Sequence, residues 1–570
     1  MSNQLDSSGN IASKALTRGI MLGALLATAA WGQPPQSAPD PLQAAQTMMA
    51  AGNYAAAVSA LKPALADGSA PPAAWMLLGQ AQAALGLTDA AADTYRHAAS
   101  IPQLNPRATR ALFLLYADAK RDDDAWTWYQ QARATGRIDF SGLATSSEIQ
   151  NLKQDARFNA LFPAPGAFEP PFAEHVRIIH EWRGERAGDE FGWEARDIGD
   201  VDGDHVDDVV ISAPAHPPYG DGGGHVYVYS GKSGKLLWQV DAKPYALLGT
   251  SIEAAGDVNR DGVPDVVTGA PLLNTAYVYA GRDGHQLSKI TGEKDSLGFG
   301  SQVAGVGDIN ADGYADLLVG APGSPNPAKP SPADYTGKAY VISGKDGSVL
   351  LQLKGEHGGD AFGSAVAGYG GRFLVVGAPG AGPRHTGRVY VYDRLSHKPR
   401  FIIDSDATGS ALGGMFVSVI GDVDHDGTPD IYASDWSNTA HGPATGRVYV
   451  YSGATGKPLL TLTGTHAGEG FGTCAAVTGD VDGDGHADLV IGSWQDHSAA
   501  WSGGRVAVYS GKDGHLLRGY TGQVAGETLG FDAVGIGDVD GDGHTDYLLT
   551  SAYSLVNGVR SGRVYIVAGG

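Results

Sequence analysis

One nine-residue acidic stretch, Asp538-Val-Asp-Gly-Asp-Gly-His-Thr-Asp546, recurs in recognisable form six times between residues 200 and 546. The copies begin at Asp200, Asp257, Asp308, Asp422, Asp480 and Asp538. Numbering each copy from 1 to 9, an acid or an Asn stands at positions 1, 3, 5 and 9, and Gly usually stands at 6, where the backbone must turn sharply at positive φ. The side-chain oxygens are those of Asp200, Asp202, Asp204 and Asp208; Asp257, Asn259, Asp261 and Asp265; Asp308, Asn310, Asp312 and Asp316; Asp422, Asp424, Asp426 and Asp430; Asp480, Asp482, Asp484 and Asp488; and Asp538, Asp540, Asp542 and Asp546. Position 7 adds a backbone carbonyl from Val206, Val263, Tyr314, Thr428, His486 or His544. Hard oxygen donors in a flexible loop suit Ca²⁺, and no Cys or His spacing competes for a softer metal. A single such loop reads as a solvated acidic turn; six in register read as about six calcium sites. In the first copy His205 stands where Gly is expected, and Asp207 is an extra acid.

Each acidic loop sits in a longer frame. Before it stands a Phe-Gly or its relic: Phe191-Gly192, Leu248-Gly249, Phe299-Gly300, Phe362-Gly363, Met415-Phe416 after two glycines, Phe471-Gly472 and Leu529-Gly530. After it stands Gly-Ala-Pro or a relic: Ser212-Ala-Pro214, Gly269-Ala-Pro271, Gly320-Ala-Pro322, Gly377-Ala-Pro379, Ala433-Ser-Asp435, Gly492-Ser-Trp494 and Ser551-Ala-Tyr553. Seven units of about 50 to 60 residues result. They resemble the FG-GAP repeats of integrin α-subunit heads, and the resemblance implies a mainly β fold, a seven-bladed β-propeller over residues 175–570. Within unit three, 303–308 reads as an inner strand entering the loop, 317–319 as the strand leaving it, and 339–343 and 349–353 as the outer pair. Unit four runs through Gly370-Gly371 with no acidic stretch, so a short turn is expected there. The last unit stops at 563–567 without a fourth strand, and 176–182 is a lone strand ahead of the first Phe-Gly. The two are expected to pair and close the ring.

Ahead of the propeller the composition shifts to Ala, Leu and Gln, and a period of 34 appears over residues 40–162. Ala57, Ala91 and Ala125 obey it, as do Leu61, Tyr95 and Tyr129, and Ala64, Ala98 and Ala132. With Trp75, Leu78 and Gly79 in the first-helix signature, the stretch resembles tetratricopeptide repeats, which implies a small all-α solenoid with a groove for a peptide partner. Phe113 stands where a small residue is usual, so the third hairpin is degenerate, and 147–161 reads as a capping helix. Residues 163–174 read as a Pro-rich linker, and so do 31–39. Residues 1–30, with Lys14 and Arg18 before the apolar run 19–30, read as an export signal, or as an anchor in the membrane if uncleaved. The only cysteine, Cys474, cannot form an intrachain disulfide.

The formal charge of −22 excludes a basic stripe for nucleic acid. Of that charge, 22 aspartates lie at the oxygen-bearing loop positions, so order in the loops is tied to a bound cation. The integrin resemblance implies that ligands meet the face opposite the acidic loops. The loops there are long and aromatic, and their candidate contact residues are Tyr219, Tyr335, Trp436, Trp494, Trp501 and Tyr553. The favoured reading is an exported protein (periplasmic, cell-surface or secreted) that binds a protein or carbohydrate, as in adhesion. Two alternatives stay open: a propeller enzyme, either lyase-like on polysaccharide or quinone-dependent, and a structural scaffold. Against an enzyme, no catalytic residue is evident: no nucleophile motif comes with a base, and only Trp238 stands where quinone-cofactor propellers repeat a Trp.

Overall fold

The computed structural model describes residues 41–570, apart from 69, 102–103, 135–142, 144–145, 163–164, 218–219, 295–296, 324–334 and 475–477. The expected export segment and the linker 31–39 therefore lie outside the described residues. Among the described residues no helix is long and apolar enough to cross a membrane. The described residues form two compact units: one holds the residues up to Ala134 together with Ser146–Phe158, and the other holds Asn159–Gly570.

In the first unit, helices α1 (Pro41–Ala50), α2 (Tyr54–Ala66), α3 (Ala74–Ala84), α4 (Thr88–Ala99), α5 (Asn105–Asp118) and α6 (Asp122–Ala134) follow one another. The 34-residue period marks the packed faces, because all nine residues that obey it are buried. Gly79 lets α3 lie directly on α4: a Cβ there would meet the Tyr95 ring at 2.3 Å. At the equivalent place in α5, Phe113 is fully buried, with its ring 5.3 Å from Tyr129 and 6.1 Å from Phe158. Phe158 belongs to the second of two 3₁₀ turns, Ser147–Gln154 and Ala156–Leu161, which take the place of the expected capping helix and bury Ile149, Leu152 and Phe158. The aromatic fills the space that a second close helix approach would have closed.

The second unit is a seven-bladed β-propeller. Blades 1 to 5 are the four-stranded sheets 195–241, 252–291, 302–354, 365–404 and 417–463. Blade 6 shows three strands among the described residues, Leu489–Ser493, Arg505–Tyr509 and Leu516–Thr521. Blade 7 closes the ring as anticipated. Ile178–Arg183 pairs antiparallel with Arg563–Val567 in the register Glu181↔Tyr565 and Trp182↔Val564, so residues near both ends of the propeller share one sheet.

The second strand of each blade explains the sequence pattern. Asp208–Ala213, Asp265–Ala270, Asp316–Ala321 and Phe373–Ala378 are buried at every residue, because both faces of such a strand pack against neighbouring blades. The core is accordingly interblade: Val267 and Val278 of blade 2 lie in one cluster with Leu317, Val319 and Tyr340 of blade 3. The two signature motifs of each unit meet physically. Gly192, Gly249, Gly300, Gly363, Gly413, Gly472 and Gly530 each donate an amide to a carbonyl at or beside the Gly-Ala-Pro that ends the second strand of the same unit, at 2.8–3.0 Å. At Gly300, φ is +86° and a Cβ would meet the Thr275 carbonyl oxygen at 2.4 Å, so only Gly fits. In blade 4, Tyr369 pairs with Phe373 across Gly370-Gly371, the short turn expected there.

The segment 168–174, within the stretch read as a linker, is bonded to the propeller. Ala173 N donates to Thr521 O at 2.8 Å, Gln523 N to Pro171 O at 3.0 Å and Thr521 N to Glu174 at 2.7 Å.

Candidate functional site

Antiparallel strands place the turns between strands one and two, and three and four, at one end of every blade. Connections between strands two and three, and between blades, fall at the other end. The acidic loops and the aromatic loops thus occupy opposite faces.

The six acidic loops share one hydrogen-bond scheme. The position 1 carboxylate accepts from the amide of position 5 at 3.0–3.1 Å and from that of position 6 at 2.7–3.0 Å. Position 5 accepts from the amide of position 7 at 2.9–3.1 Å, a bond that turns the position 7 peptide. Position 9 is buried in every loop. One of its oxygens accepts from the amide of position 2 at 2.7–3.0 Å. The other accepts at 2.9–3.1 Å from a glycine amide that follows the third strand. That aspartate ties the loop to the backbone that leaves the third strand, a structural role that spacing alone did not disclose.

Positive φ occurs at position 4 as well as position 6 in all six loops. Gly203, Gly483 and Gly541 meet that requirement without strain, whereas Arg260, Ala311 and His425 adopt it at φ 60–64°. At position 6 of the first loop, His205 takes φ 69°, so the missing glycine does not alter the turn.

Four loops bring three carboxylates within 4.8 Å of one another: Asp200, Asp202 and Asp208; Asp422, Asp424 and Asp430; Asp480, Asp482 and Asp488; and Asp538, Asp540 and Asp542. The other two loops carry Asn259 and Asn310 at position 3 and keep the same turn. An all-oxygen donor set of this kind fits a hard divalent cation such as Ca²⁺. The local electrostatics agree, since burial pushes the carboxyls of Asp208, Asp265 and Asp430 up to about 6. A nearby cation lowers the cost of keeping such groups ionised.

On the opposite face, two of the aromatic residues singled out in the sequence come together with two that were not. Trp494 lies 5.7 Å from Phe531 and 5.8 Å from Tyr553, ring centre to ring centre; Phe531 lies 4.8 Å from Trp193, which in turn lies 4.4 Å from the His216 ring. Arg560 stacks 3.8 Å above Tyr553 and bonds Glu190 at 2.8 Å, and Glu190 also binds His216 Nδ1 at 2.6 Å. Trp193 and Phe531 each follow the Phe-Gly glycine of their unit directly, and that offset was the signal available for finding them. The buried indole N–H of Trp494 has no acceptor among the described residues. Trp501 stands apart from this basin, 5.6 Å from His497; Trp436 is half-buried on blade 5, Tyr335 is exposed on blade 3, and Tyr219 lies outside the described residues.

Between the two faces, a cavity of about 250 Å³ is lined by Glu194, Arg196 and Glu253 together with Tyr369, Met415 and Phe416. Arg196 is paired with Asp532 and lies 3.2 Å from Glu253. Glu194 accepts from Ile252 N at 2.8 Å, and burial pushes its carboxyl up from 4.5 to about 7. The folded state therefore holds a proton that the unfolded chain releases, and this group's contribution to stability falls as pH rises from about 4.5 to 7. Glu194→Gln keeps the acceptor and removes the charge. Relative to the parent it is expected to stabilise the protein at pH 8, by on the order of 2 kcal/mol, and to be neutral at pH 4. Thermal melts at the two pH values check this; an equal effect at both would contradict it.

Comparison with known proteins matches these elements. The FG-GAP repeat model matches residues 299–342, and the FG-GAP-like repeat model matches 200–268, 257–319 and 422–491. The chain is 34% identical over 161 residues to integrin alpha-6 of Gallus gallus, covering 26% of this chain and 15% of that protein. It is 36% identical over 164 residues to integrin alpha-11 of Homo sapiens, covering 26% and 14%. To integrin alpha-PS5 of Drosophila melanogaster it is 30% identical over 187 residues, covering 30% and 18%. The fold and the matched repeats make the second unit an integrin α-like FG-GAP propeller with acidic loops of the calcium-binding type. The chain spans less than a fifth of the length of these curated relatives.

Proposed function

We propose that this chain is an exported, calcium-binding interaction protein whose propeller takes a protein or carbohydrate ligand on its aromatic loop face. About six Ca²⁺ ions, one per acidic loop, stiffen the opposite face. The observation that carries the ligand reading is the basin of Trp193, Trp494, Phe531 and Tyr553, with a buried indole N–H that lacks an acceptor among the described residues. Such a donor costs about 1–3 kcal/mol while unpaired, and a ligand oxygen would remove that cost. Aromatic planes offer large contact area at low entropic cost, and the likeness to integrin α subunits favours a protein ligand. The helical unit, read as tetratricopeptide-like hairpins, offers a second surface suited to a peptide.

A glycan array and a pull-down with the full chain from the envelope of the source organism identify the ligand class. With that ligand, Trp494→Ala and Tyr553→Ala are expected to lower affinity at least tenfold, about 1.4 kcal/mol, with calcium content unchanged. Normal binding by both variants, with loss in variants of the helical groove, would move recognition to the helical unit.

A further inference from the structure

The acidic loop of blade 7 differs from the other three that bring carboxylates together. Its close triple uses positions 1, 3 and 5 (Asp538, Asp540 and Asp542), whereas the loops of blades 1, 5 and 6 use positions 1, 3 and 9. The difference has a visible correlate. Arg177, one residue ahead of the closing strand Ile178–Arg183, places Nη2 against Asp540 and 2.9 Å from Asp542 Oδ2.

Blades 1, 3 and 6 also set a basic residue beside the loop, from the hairpin between strands three and four, but they use it differently. Lys232 bonds the Asp204 carbonyl at 2.9 Å; Lys345 and Lys512 stand 4.0 and 3.6 Å from the position 5 carboxylates Asp312 and Asp484. Each of these contacts involves position 5. In blade 7 no such hairpin exists, because the fourth strand comes from the other end of the unit. Arg177 is held there by its own carbonyl, which accepts from Ala568 N at 2.9 Å, and its guanidinium reaches position 3 as well.

We propose that Arg177 is an internal competitor for the blade 7 cation, so that this loop fills at higher Ca²⁺ than its neighbours and filling it displaces the Arg177 side chain. The inference rests on the calcium reading of the loops. A guanidinium in contact with two candidate ligands repels an incoming divalent ion and occupies oxygens the ion needs. Displacement costs those contacts, and the cost appears as weaker binding at this loop alone. Because Arg177 adjoins the strand that closes the ring, filling of this loop alters side-chain contacts at the closure.

Hydrogen exchange of the full chain, followed by mass spectrometry over a calcium titration, resolves the loops one by one. In the parent protein, protection of residues 536–547 is expected to have its midpoint at least fivefold higher in free calcium than that of 478–489. Arg177→Gln should lower the 536–547 midpoint by at least fivefold and leave 478–489 unmoved, whereas Arg177→Lys should stay near the parent. Unchanged exchange in blades 2 and 3 reports that the variants fold. A 536–547 midpoint that is unmoved or raised in Arg177→Gln, while 478–489 responds normally, overturns the competition. Absence of calcium protection in every loop would instead overturn the metal reading beneath it.

Discussion

Replacing Arg563 by methionine is expected to destabilise the propeller by about 3–5 kcal/mol. The side chain is fully buried in the blade that closes the ring. Its Nε bonds Glu181 at 2.8 Å, Nη1 bonds the Phe168 carbonyl at 3.0 Å, and Nη2 bonds Glu169 at 3.1 Å. Glu527, also buried, lies 3.8 Å away, and burial already pushes its carboxyl up to about 7. Removing the cation leaves the buried Glu527 without its counter-charge and Glu181 with Arg183 alone, and it frees the 168–174 segment at one of its anchors. Methionine fills comparable volume, so the loss is electrostatic rather than a cavity effect. Denaturant unfolding measures it. A change below about 1 kcal/mol, as for an exposed ion pair, would show that the carboxylates find water or protons when the arginine is gone.

The second large effect separates two aspartates of one loop. Asp488, at position 9, accepts from Val481 N at 2.8 Å and Gly511 N at 2.9 Å and is buried. Asp488→Ala strands both amides and is expected to cost about 2–4 kcal/mol in chelator, and more in calcium, because Asp488 is also one of the three close carboxylates of its loop. Asp484, at position 5, is half-buried, and its carboxylate accepts from His486 N at 3.0 Å. Asp484→Ala is expected to lower the melting temperature in millimolar calcium and to have almost no effect in chelator, since its contribution passes through the ion. Neither change should abolish the fold, because six other blades keep their interblade packing. Equal losses for Asp484→Ala in both conditions would mean that this residue does not act through metal.

What could be read in the chain was whatever repeats at short range. The Phe-Gly and Gly-Ala-Pro frames disclosed seven blades because each pair closes one hydrogen bond within its own unit. The lone strand at 176–182 and the unit lacking a fourth strand disclosed the closure, because each was incomplete alone. The acidic loops were legible for the same reason, although the left-handed backbone at position 4 was hidden where Arg260, Ala311 and His425 stand in for glycine. Contacts between distant blades were not legible. Arg196 and Asp532 lie 336 residues apart in sequence, and no local spacing announces that they meet. The basin around Trp494 was half visible: its loop residues stood out, but Trp193 and Phe531 sit beside repeat glycines and looked like part of the frame. Burial of position 9 was missed because an aspartate within an acidic loop reads as one more ligand until its two amide partners are seen.

Calcium counted per chain is the decisive measurement. The full chain, dialysed against buffer with millimolar free calcium and analysed by atomic emission beside protein concentration, is expected to carry about six ions, held with the modest affinity of about 10⁻⁴ to 10⁻³ M common to extracellular calcium modules. Two ions or fewer per chain would contradict the reading of the acidic loops as calcium sites and leave their shared hydrogen-bond scheme as a turn motif alone.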